Sequence, residues 1–207
     1  MKDLSKKPLL YLITKGEADH SNFNAKKNEI LEIIKAAAEA EVSLIQIREK
    51  NLTAKLLFEL SSEAVSITAN YSTRLLINGR ADVALAARAN GVHLPSDSLS
   101  ADVIRRAFPR NFMIGVSAHS FEEAEKALRN GADFVTFGPV FSTPDKGEPI
   151  GLEELRRVCK LLDPLSVIAL GGIDRTNYQS VLQSGVSGFA AIRYLNNTEN
   201  LRGLSQS

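Results

Sequence analysis

Residues 74–94 read RLLINGRADVALAARANGVHL, and the pair Asn78-Gly79 within them fits two different folds. Asn-Gly between apolar runs is the strongest short-range signal for a β-hairpin, because both residues tolerate the positive φ of a type I′ turn. In the alternative, a buried strand ends at Asn78 and a short helix follows, in a segment that ends on Gly91. The pattern along the rest of the chain decides between the two.

Eight short segments are apolar on consecutive positions, which is typical of strands covered on both faces of a parallel sheet. These segments are residues 9–14, 44–48, 74–78, 91–94, 112–118, 134–138, 166–170 and 188–192. Helical patterns lie between most of them, with apolar residues three and four positions apart. The clearest patterns are Ile30, Ile33, Ile34 and Ala37, and then Leu56, Leu60, Ala64 and Ile67.

Two later helices carry signals at both ends. Ser120 and Glu123 form a capping box, and Gly131 is the left-handed residue expected after the helix. Asp174 is the expected N-cap of the other helix, which stops at Gly185.

The eightfold strand-helix alternation predicts an α/β protein, a single-domain (β/α)8 TIM barrel over residues 1–207. This alternation requires a helix after Asn78, so the hairpin is rejected. Asn78 then lies at the carboxyl end of the third strand, on the face where barrel enzymes carry their active sites.

The composition is that of an ordinary globular protein. The chain is 44% hydrophobic and 24% charged with a net charge of +1, which argues against disorder, a membrane or a nucleic-acid surface. The single Cys159 excludes an intrachain disulfide, and the three histidines are too scattered in sequence for a metal cluster. The apolar residues 8–14 lack a cleavage site and form a strand rather than a signal peptide, and no run approaches the roughly 18 residues of a membrane span. We expect a cytoplasmic protein.

Charged and polar side chains follow the strands at their carboxyl ends. Basic residues gather there although the chain is nearly neutral, which predicts an anionic substrate. They are Arg48, Lys50, Lys146 and Arg193. Any one of them alone is explained by solvation, but four together favour a site. Three polar residues at the same ends are also predicted to bind substrate, namely Asn78, Ser117 and Thr143.

The sequence LGGID, residues 170–174, follows the seventh strand. Two glycines let the backbone approach a ligand, and Asp174 begins a helix whose N-terminus favours anions. Because barrels usually hold phosphate in the loops after strands seven and eight, we predict a phosphate site there, although a Gly-Gly pair also suits a simple tight turn. Its predicted residues are Gly171, Gly172, Ile173, Ile192 and Arg193.

His119, just past the fifth strand, is the candidate general acid or base, since the ordinary pKa of histidine is near neutrality. In the alternative it begins the next helix and hydrogen-bonds locally. His93 lies within a strand and is expected in the core. The loop of residues 138–151, which contains Lys146, is long for a connection between a strand and a helix, and we expect it to act as a lid.

The chain resembles the thiamin phosphate synthase and TenI superfamily over nearly its whole length. The matching motifs are QIREK (46–50), LLIN (75–78), ADVALA (81–86), GVHL (91–94), GVSAHSFEEA (115–124), GADFVTFGPVFSTPDK (131–146), PIGLEEL (149–155) and VIALGGI (167–173). The resemblance implies the same barrel and a small phosphorylated thiazole or pyrimidine substrate.

Thiamin phosphate synthases join a hydroxymethylpyrimidine diphosphate to a thiazole phosphate and expel pyrophosphate with the help of Mg²⁺. The resemblance implies that Arg48, Lys50, Asn78 and Lys146 hold the diphosphate. It also implies that Thr143, Gly172 and the backbone near Ile192 and Arg193 hold the thiazole phosphate. Arg193 departs from the synthases, in which a serine is usual at this position.

The two aspartates that bind Mg²⁺ in the synthases are missing from the matching positions. Gly79 stands directly after the asparagine, and Ser98 stands in the loop after the fourth strand. Because Mg²⁺ is usually bound by one or two carboxylates beside phosphates, their loss should severely weaken metal-assisted departure of pyrophosphate. Asp97, one residue away, is the alternative ligand if the loop is shifted.

TenI proteins resemble the synthases without those aspartates. They are thiazole tautomerases that aromatise a carboxythiazole ethyl phosphate by proton transfer, without a metal. This branch is the one the sequence favours: His119 would move the proton, the glycine loop and Arg193 would bind the phosphate, and Arg48 and Lys50 would meet the carboxylate.

Two other functions stay open. Lys50 and Lys146 favour a synthase, for which alone Mg²⁺ is expected as a cofactor. A catalytically silent paralogue that binds thiamin phosphates is the third function. The segment after the eighth strand is short for a closing helix. We therefore expect this segment to fray or to pack against a neighbouring subunit, and we expect a homo-oligomer.

Overall fold

The computed structural model describes residues 7–144 and 147–204, so the predicted substrate ligand Lys146 lies outside the described residues. Eight parallel strands are hydrogen-bonded in sequence order and close into a barrel. The strands are β1 (Leu9–Ile13), β2 (Leu44–Ile47), β3 (Arg74–Asn78), β4 (Gly91–Leu94), β5 (Met113–Ala118), β6 (Phe134–Phe137), β7 (Ser166–Leu170) and β8 (Gly188–Ala191). The predicted (β/α)8 fold is confirmed.

A helix follows each strand. The helices are α1 (Phe23–Glu39), α2 (Ala54–Thr68), α3 (Ala81–Ala86), α4 (Ala101–Ala107), α5 (Phe121–Arg129), α6 (Gly151–Leu161), α7 (Tyr178–Leu182) and α8 (Thr198–Leu204). Within the described residues, no helix has the length and apolar character needed to cross a membrane.

The predicted strands agree with the structure to within one residue at each end. Every residue of β2, β4, β6 and β8 is buried, which explains why these segments are apolar on consecutive positions. The segment Asn78-Gly79 is a strand end and not a hairpin: Asn78 pairs with His93 of the parallel strand β4, and the Gly79 N–H donates to the His93 carbonyl at 2.8 Å.

The chain divides into two compact units. The first comprises the described residues up to Leu10 together with residues 94–191, and the second comprises residues 11–93 with the described residues from Ile192 onward. In the first unit, β5, β6 and β7 pair in register, and the Leu9 N–H donates to the Ser187 carbonyl at 2.9 Å. In the second unit, β1 pairs with β2 and β2 with β3. The single domain over residues 1–207 stays a prediction.

Helix α1 buries the face that its sequence predicts, but helix α2 is rotated from the prediction. Leu56 and Ile67 are only half-buried, and the buried stripe of α2 is Leu57, Leu60, Ser61, Ala64 and Thr68. Thr68 can be buried in this stripe because its hydroxyl bonds its own helix, donating to the Ala64 carbonyl at 3.1 Å.

The helix after β3 ends earlier than predicted. Gly91 does not end it, because Gly91 is the buried first residue of β4. The left-handed residue that ends α3 is instead Arg88, at a φ of 61°. A charged residue in this conformation is uncommon, which is why the sequence did not reveal it.

Arg105 of α4 joins three segments of the first unit. Its guanidinium donates to the carbonyls of Phe112 at 2.9 Å and Gly131 at 2.8 Å, and it pairs with the Asp133 carboxylate at 2.9 Å. Asp133 in turn accepts from the Ile114 N–H at 2.7 Å. The planar guanidinium thus fixes the entries of β5 and β6, at the amino ends of these strands.

We predict that Arg105→Lys lowers the free energy of unfolding by about 1–2 kcal/mol, because an ammonium group cannot reproduce the planar set of donors. The matched control is Arg106→Lys. Arg106 is 71% exposed in its pair with Asp102, and its loss should cost less than about 0.5 kcal/mol. Urea unfolding of both variants measures the difference, and equal losses would contradict the structural role of Arg105.

His93 is buried in the second unit, as the sequence predicts, and is only 2% exposed. Its Nδ1 lies 3.2 Å from the hydroxyl oxygen of Tyr11, which is fully buried. Burial raises the pKa of Tyr11 well above its ordinary value, and the hydrogen bond with the Gln46 side chain acts in the opposite direction. Burial also lowers the pKa of His93 to about 3, so both side chains are neutral at neutral pH.

The folded pKa of His93 is therefore lower than its ordinary value of 6.5. Between these two values the unfolded chain binds more protons than the folded one, so the free energy of unfolding falls as the pH falls. The contribution is fully present above pH 6.5, and about 2 kcal/mol of it is lost at pH 5. In His93→Gln this part of the pH dependence should disappear in urea titrations at pH 5 and 7. An unchanged pH dependence would contradict the prediction.

Candidate active site

The first unit holds His119 at the start of α5. Its backbone N–H donates to the Glu123 carboxylate at 2.7 Å, and the Glu123 N–H donates to the Ser120 hydroxyl at 3.2 Å. The capping box is therefore present, with its carboxylate bonded one residue earlier than the N-cap. These two bonds fix the backbone from which the His119 side chain extends.

The His119 ring is held by the carbonyl of Gly138, which lies 2.7 Å from Nδ1. Because a carbonyl oxygen only accepts, Nδ1 must carry a hydrogen, and in the neutral ring Nε2 has the free lone pair. Local hydrogen bonding and an acid-base role, stated above as alternatives, are therefore compatible: one nitrogen orients the ring while the other can exchange a proton.

Ser117 lies at the end of β5 and is half-buried. Its hydroxyl accepts weakly from the Thr136 hydroxyl at 3.5 Å. Its role in binding substrate stays a prediction.

The glycine pair after β7 packs closely against the loop after β6. A Cβ on Gly171 would lie 2.6 Å from Pro139 Cα, and a Cβ on Gly172 would lie 2.7 Å from Phe141 Cβ. Both glycines have positive φ, 107° and 66° respectively. Since neither position has room for a side chain, the pair is more than a simple tight turn: its backbone is packed directly against the loop after β6.

Two backbone donors of this glycine loop, the N–H groups of Gly172 and Ile173, have no hydrogen-bond acceptor among the described residues. Successive N–H groups without acceptors form a concave donor site that suits a phosphate oxygen. This geometry agrees with the predicted phosphate site.

Asp174 does not have the role that the sequence predicted for it. Helix α7 begins at Tyr178 after Asn177, and it has only 5 residues. The Asp174 carboxylate instead accepts from the N–H of Thr176 at 2.8 Å and from its hydroxyl at 2.7 Å. Asp174 favours its own short turn over a helix cap, because its side chain reaches the backbone two residues ahead. The helix N-terminus therefore gives no support to the phosphate site.

The loop of residues 138–151 is closed at its base. The Ile150 N–H donates to the Pro139 carbonyl at 2.9 Å, and the Gly151 N–H donates to the Val140 carbonyl at 3.1 Å. Within this loop the Thr143 hydroxyl is buried and has no hydrogen-bond partner among the described residues. A buried unpaired hydroxyl is costly, which fits the predicted role of Thr143 in binding a ligand. The lid function stays a prediction.

The second unit contains a buried carboxylate, Glu49, that the sequence analysis did not assign. Glu49 is 3% exposed and accepts from the Thr14 hydroxyl at 2.6 Å and the N–H groups of Gly16 and Ala18 at 3.1 and 2.8 Å. Thr14 accepts in turn from the Arg48 N–H at 2.8 Å. Glu49 thereby fixes the loop after β1 and the backbone of Arg48, and its oxygens are engaged by these donors.

The predicted cations of the second unit are Arg48, Lys50 and Arg193, and their side chains form no hydrogen bond or ion pair with any described residue. Arg48 is half-buried, while Lys50 and Arg193 are exposed. By contrast, Lys27 on α1 pairs with both Glu59 and Glu63 at 2.8 Å. Unpaired cations at strand ends are available to bind an anion.

The turn after β8 is fixed in the second unit by Asn196. Its side-chain amide donates to the carbonyls of Ile13 at 2.7 Å and Ile192 at 2.6 Å. Within the described part of the chain, the N–H groups of Ile192 and Arg193 have no acceptor. The backbone here therefore offers the donors that were predicted to bind phosphate.

Gln46 is a second residue that the sequence analysis did not assign. It is 1% exposed in β2, two positions before Arg48 and hence on the same face of the strand. Its Nε2 lies outside ordinary hydrogen-bond geometry to any described acceptor, but the side chain interacts with the Tyr11 hydroxyl and opposes the rise in the pKa of Tyr11. The signal in the sequence was a single polar residue within the apolar run LIQI.

Asn78 and Gly79 lie at the carboxyl end of β3, the strand that pairs with β2. Asn78 is half-buried, and its side-chain amide bonds no described residue. Gly79 has a φ of 66°, a conformation that aspartate also tolerates better than most residues. The backbone at this position is therefore compatible with the aspartate of the synthases, but the chain does not carry one.

Neither position to which the resemblance assigns a Mg²⁺-binding aspartate carries a carboxylate. The described residues also contain no group of three or more histidine, cysteine, aspartate or glutamate side chains placed to hold a metal ion. Gly79 and Ser98 provide no carboxylate, and Asp97 is exposed. The residues that are present therefore do not fit the metal site that the resemblance implies for a synthase.

A separate surface cavity of about 470 Å³ lies in the second unit, lined by residues 20–25 and Leu56. Neither the predicted cations nor Asn78 lines it. His20 lines this cavity, and nothing connects it with the predicted site.

The sequence of the chain matches a known protein family. The family model described as "Thiamine monophosphate synthase" (TMP-TENI) matches residues 10–195. The chain is 40% identical over 186 residues to a "Putative thiamine-phosphate synthase" of Geobacter sulfurreducens, covering 88% of this chain and 84% of that one. It is 38% identical over 170 residues to a "Thiamine-phosphate synthase" of Caldanaerobacter subterraneus, covering 81% and 79%.

A solved structure agrees with these relatives. The thiamine phosphate pyrophosphorylase of Pyrococcus furiosus superposes with a TM-score of 0.80 at 32% identity, covering 96% of this chain and 95% of that one. These names favour the synthases and do not show the TenI branch that the sequence analysis preferred. The chain belongs to the thiamine monophosphate synthase family.

Proposed function

We propose that the protein is a thiamin phosphate synthase, a transferase that joins a hydroxymethylpyrimidine diphosphate to a thiazole phosphate and releases pyrophosphate. The observation that carries this proposal is the pair of cations Arg48 and Lys50 after β2, whose side chains form no hydrogen bond or ion pair with a described residue. Asn78, whose amide likewise bonds no described residue, ends the neighbouring strand β3. The carboxylate of a tautomerase substrate requires fewer positive charges than a diphosphate does. The relatives named as synthases support the same choice.

The transferase reaction requires stabilisation of its leaving group. The bond between the pyrimidine methylene carbon and the diphosphate breaks, and pyrophosphate departs with the bonding electrons. The lone pair of the thiazole nitrogen forms the new bond to the same carbon. Fixed cations that face the developing negative charge favour this step. Arg48 has the planar donors for two phosphate oxygens, and Lys50 supplies a mobile point charge. Since Glu49 is engaged by Thr14 and two N–H groups, it does not compete for these cations.

The thiazole phosphate is assigned to the first unit. The free N–H groups of Gly172 and Ile173 and the buried hydroxyl of Thr143 provide donors for a phosphate monoester. Two separate groups of anion donors fit two phosphorylated substrates, which is what the transferase reaction uses.

A thiazole tautomerase is the second candidate, favoured by the absence of carboxylates at Gly79 and Ser98. Its proton transfer needs one oriented acid-base group, and the bond from His119 Nδ1 to Gly138 provides such an orientation. If this activity is present, His119→Asn should lower the rate of aromatisation by about 10² or more. An unchanged rate would exclude His119 as the acid-base group.

The two activities can be separated by one comparison. The protein is incubated with each substrate set, with and without Mg²⁺, while pyrophosphate release and thiazole aromatisation are followed. We expect pyrophosphate release that requires both phosphorylated substrates. Aromatisation without pyrophosphate release would replace the synthase by the tautomerase. If neither occurs but thiamin phosphate raises the melting temperature, the chain is a silent binding paralogue.

The cation pair is tested by neutral replacements. Arg48→Gln and Lys50→Gln should each lower kcat/KM for the pyrimidine diphosphate by about 10- to 100-fold, because a charge-assisted bond to the leaving group is lost. The matched control is Arg80→Gln, whose arginine is already paired with Asp82 at 2.6 Å. Steady-state kinetics should show no change for the control. Equal effects of all three replacements would contradict a specific role for Arg48 and Lys50.

A further inference from the structure

We propose that phosphate bound at Gly172 and Ile173 sets the orientation of the His119 imidazole through the segment Gly138–Phe141. This inference rests on the proposed phosphate-binding role of the glycine loop. It makes the Gly138 carbonyl and Pro139 positioning groups for His119, whichever of the two reactions the protein catalyses.

The first contact in this connection is the bond from His119 to Gly138. The Nδ1 atom lies 2.7 Å from the Gly138 carbonyl oxygen, so the ring direction depends on where that carbonyl points. His119 is otherwise exposed, and this is the contact that fixes the ring. A displaced Gly138 carbonyl would therefore free the imidazole to rotate and to exchange tautomers.

The second contact is a pair of backbone bonds between the segment and the glycine loop. The Val140 N–H donates to the Leu170 carbonyl at 2.9 Å, and the Phe141 N–H donates to the Gly171 carbonyl at 3.1 Å. The segment is thus bonded to the loop that carries the free phosphate donors.

The third contact is steric. A Cβ on Gly138 would lie 1.9 Å from the Leu170 carbonyl oxygen, and one on Gly171 would lie 2.6 Å from both Cα and Cβ of Pro139. With so little free space, a shift of the glycine backbone towards a bound phosphate must move the segment with it. The coupling therefore follows a continuous set of packed and bonded atoms.

Three further backbone groups of the segment are bonded. The carbonyls of Pro139 and Val140 accept from the N–H groups of Ile150 and Gly151, and the Gly138 N–H donates to the Ala118 carbonyl at 3.4 Å. These bonds hold the segment at the base of the loop. The Gly138 carbonyl is the group of the segment that contacts His119.

The chemical consequence concerns Nε2. When Nδ1 is bonded to Gly138, a neutral His119 keeps the lone pair on Nε2, which can then take or give a proton. Phosphate binding at the glycine loop would thus place a substrate and prepare the acid-base group together. A substrate that lacks the phosphate would lose reaction rate as well as affinity.

The experiment uses nuclear magnetic resonance of the histidine ring nitrogens in the full chain labelled with ¹⁵N-histidine. His119→Gln assigns the His119 signals, and inorganic phosphate is the probe. We expect phosphate to shift the His119 ring signals with a single saturating curve. The signals of His93, buried in the second unit, should not move. Phosphate binding detected by calorimetry without a His119 shift would overturn the proposal, and so would an absence of phosphate binding.

A pair of glycine variants tests the mechanical connection without a ligand. Gly171→Ala forces a methyl group against Pro139, and it should weaken the bond from Nδ1 to Gly138 and move the Nδ1 signal. Gly185→Ala is the matched control. The φ of 84° at Gly185 gives similar backbone strain, but the atom nearest to an added Cβ is Cβ of Cys159, at 3.9 Å. Identical His119 spectra in both variants would overturn the proposal.

The phosphate titration of the unmodified chain remains decisive if Gly171→Ala does not fold. Because neither measurement depends on turnover, failure of the coupling is distinguishable from failure of the proposed synthase activity. Pyrophosphate release without the His119 shift would refute the coupling alone, whereas the shift without pyrophosphate release would refute the synthase alone.

Discussion

The close approach of two backbones, Leu170–Gly172 and Pro139–Phe141, is the constraint on which the first unit depends. Only glycine fits at positions 171 and 172, because a Cβ would meet the facing loop at 2.6 and 2.7 Å. The same approach leaves successive N–H groups free for an anion and presents the Gly138 carbonyl to His119. One packing contact thus accounts for the phosphate donors and for the orientation of the acid-base candidate.

The second unit is organised by charge. Glu49 is engaged by Thr14 and by two N–H groups of the loop after β1, which leaves Arg48 and Lys50 without a carboxylate partner among the described residues. Other cations of this unit do form ion pairs: Lys27 on α1, for example, is neutralised by the carboxylates of Glu59 and Glu63. A near-neutral chain can therefore present positive charge to a substrate locally, because its paired charges cancel elsewhere.

The sequence predicted the elements of the fold well, because parallel strands covered on both faces leave an unmistakable apolar run. It was less reliable where the structure depends on tertiary contacts. The buried face of α2 was misplaced by one position at Leu56, and Asp174 was taken for a helix cap when it forms a turn with Thr176. Leu56 fits the helical spacing and Asp174 fits the preference for a helix N-cap, so both agree with the local sequence pattern. Only packing shows which geometry the chain adopts.

The candidate site shows the same limit. His119 and the glycine pair were recognisable from position and chemistry, but the bond from His119 to Gly138 joins residues 19 positions apart and leaves no local signal. The buried Glu49 was overlooked because polar residues at strand ends are usually solvated, and the buried Gln46 because it is a single polar residue within an apolar run. The sequence analysis favoured the tautomerase because two carboxylates are missing, and the relatives named as synthases weigh against the tautomerase.

The chain is proposed to offer two distinct sets of anion donors for two phosphorylated substrates. Titration calorimetry with inorganic phosphate, in the absence and presence of saturating pyrophosphate, distinguishes two sites from one. We predict that phosphate still binds when pyrophosphate is saturating, and that Arg48→Gln weakens pyrophosphate binding while leaving phosphate binding unchanged. Competition of both anions for a single site, weakened together by Arg48→Gln, would contradict it.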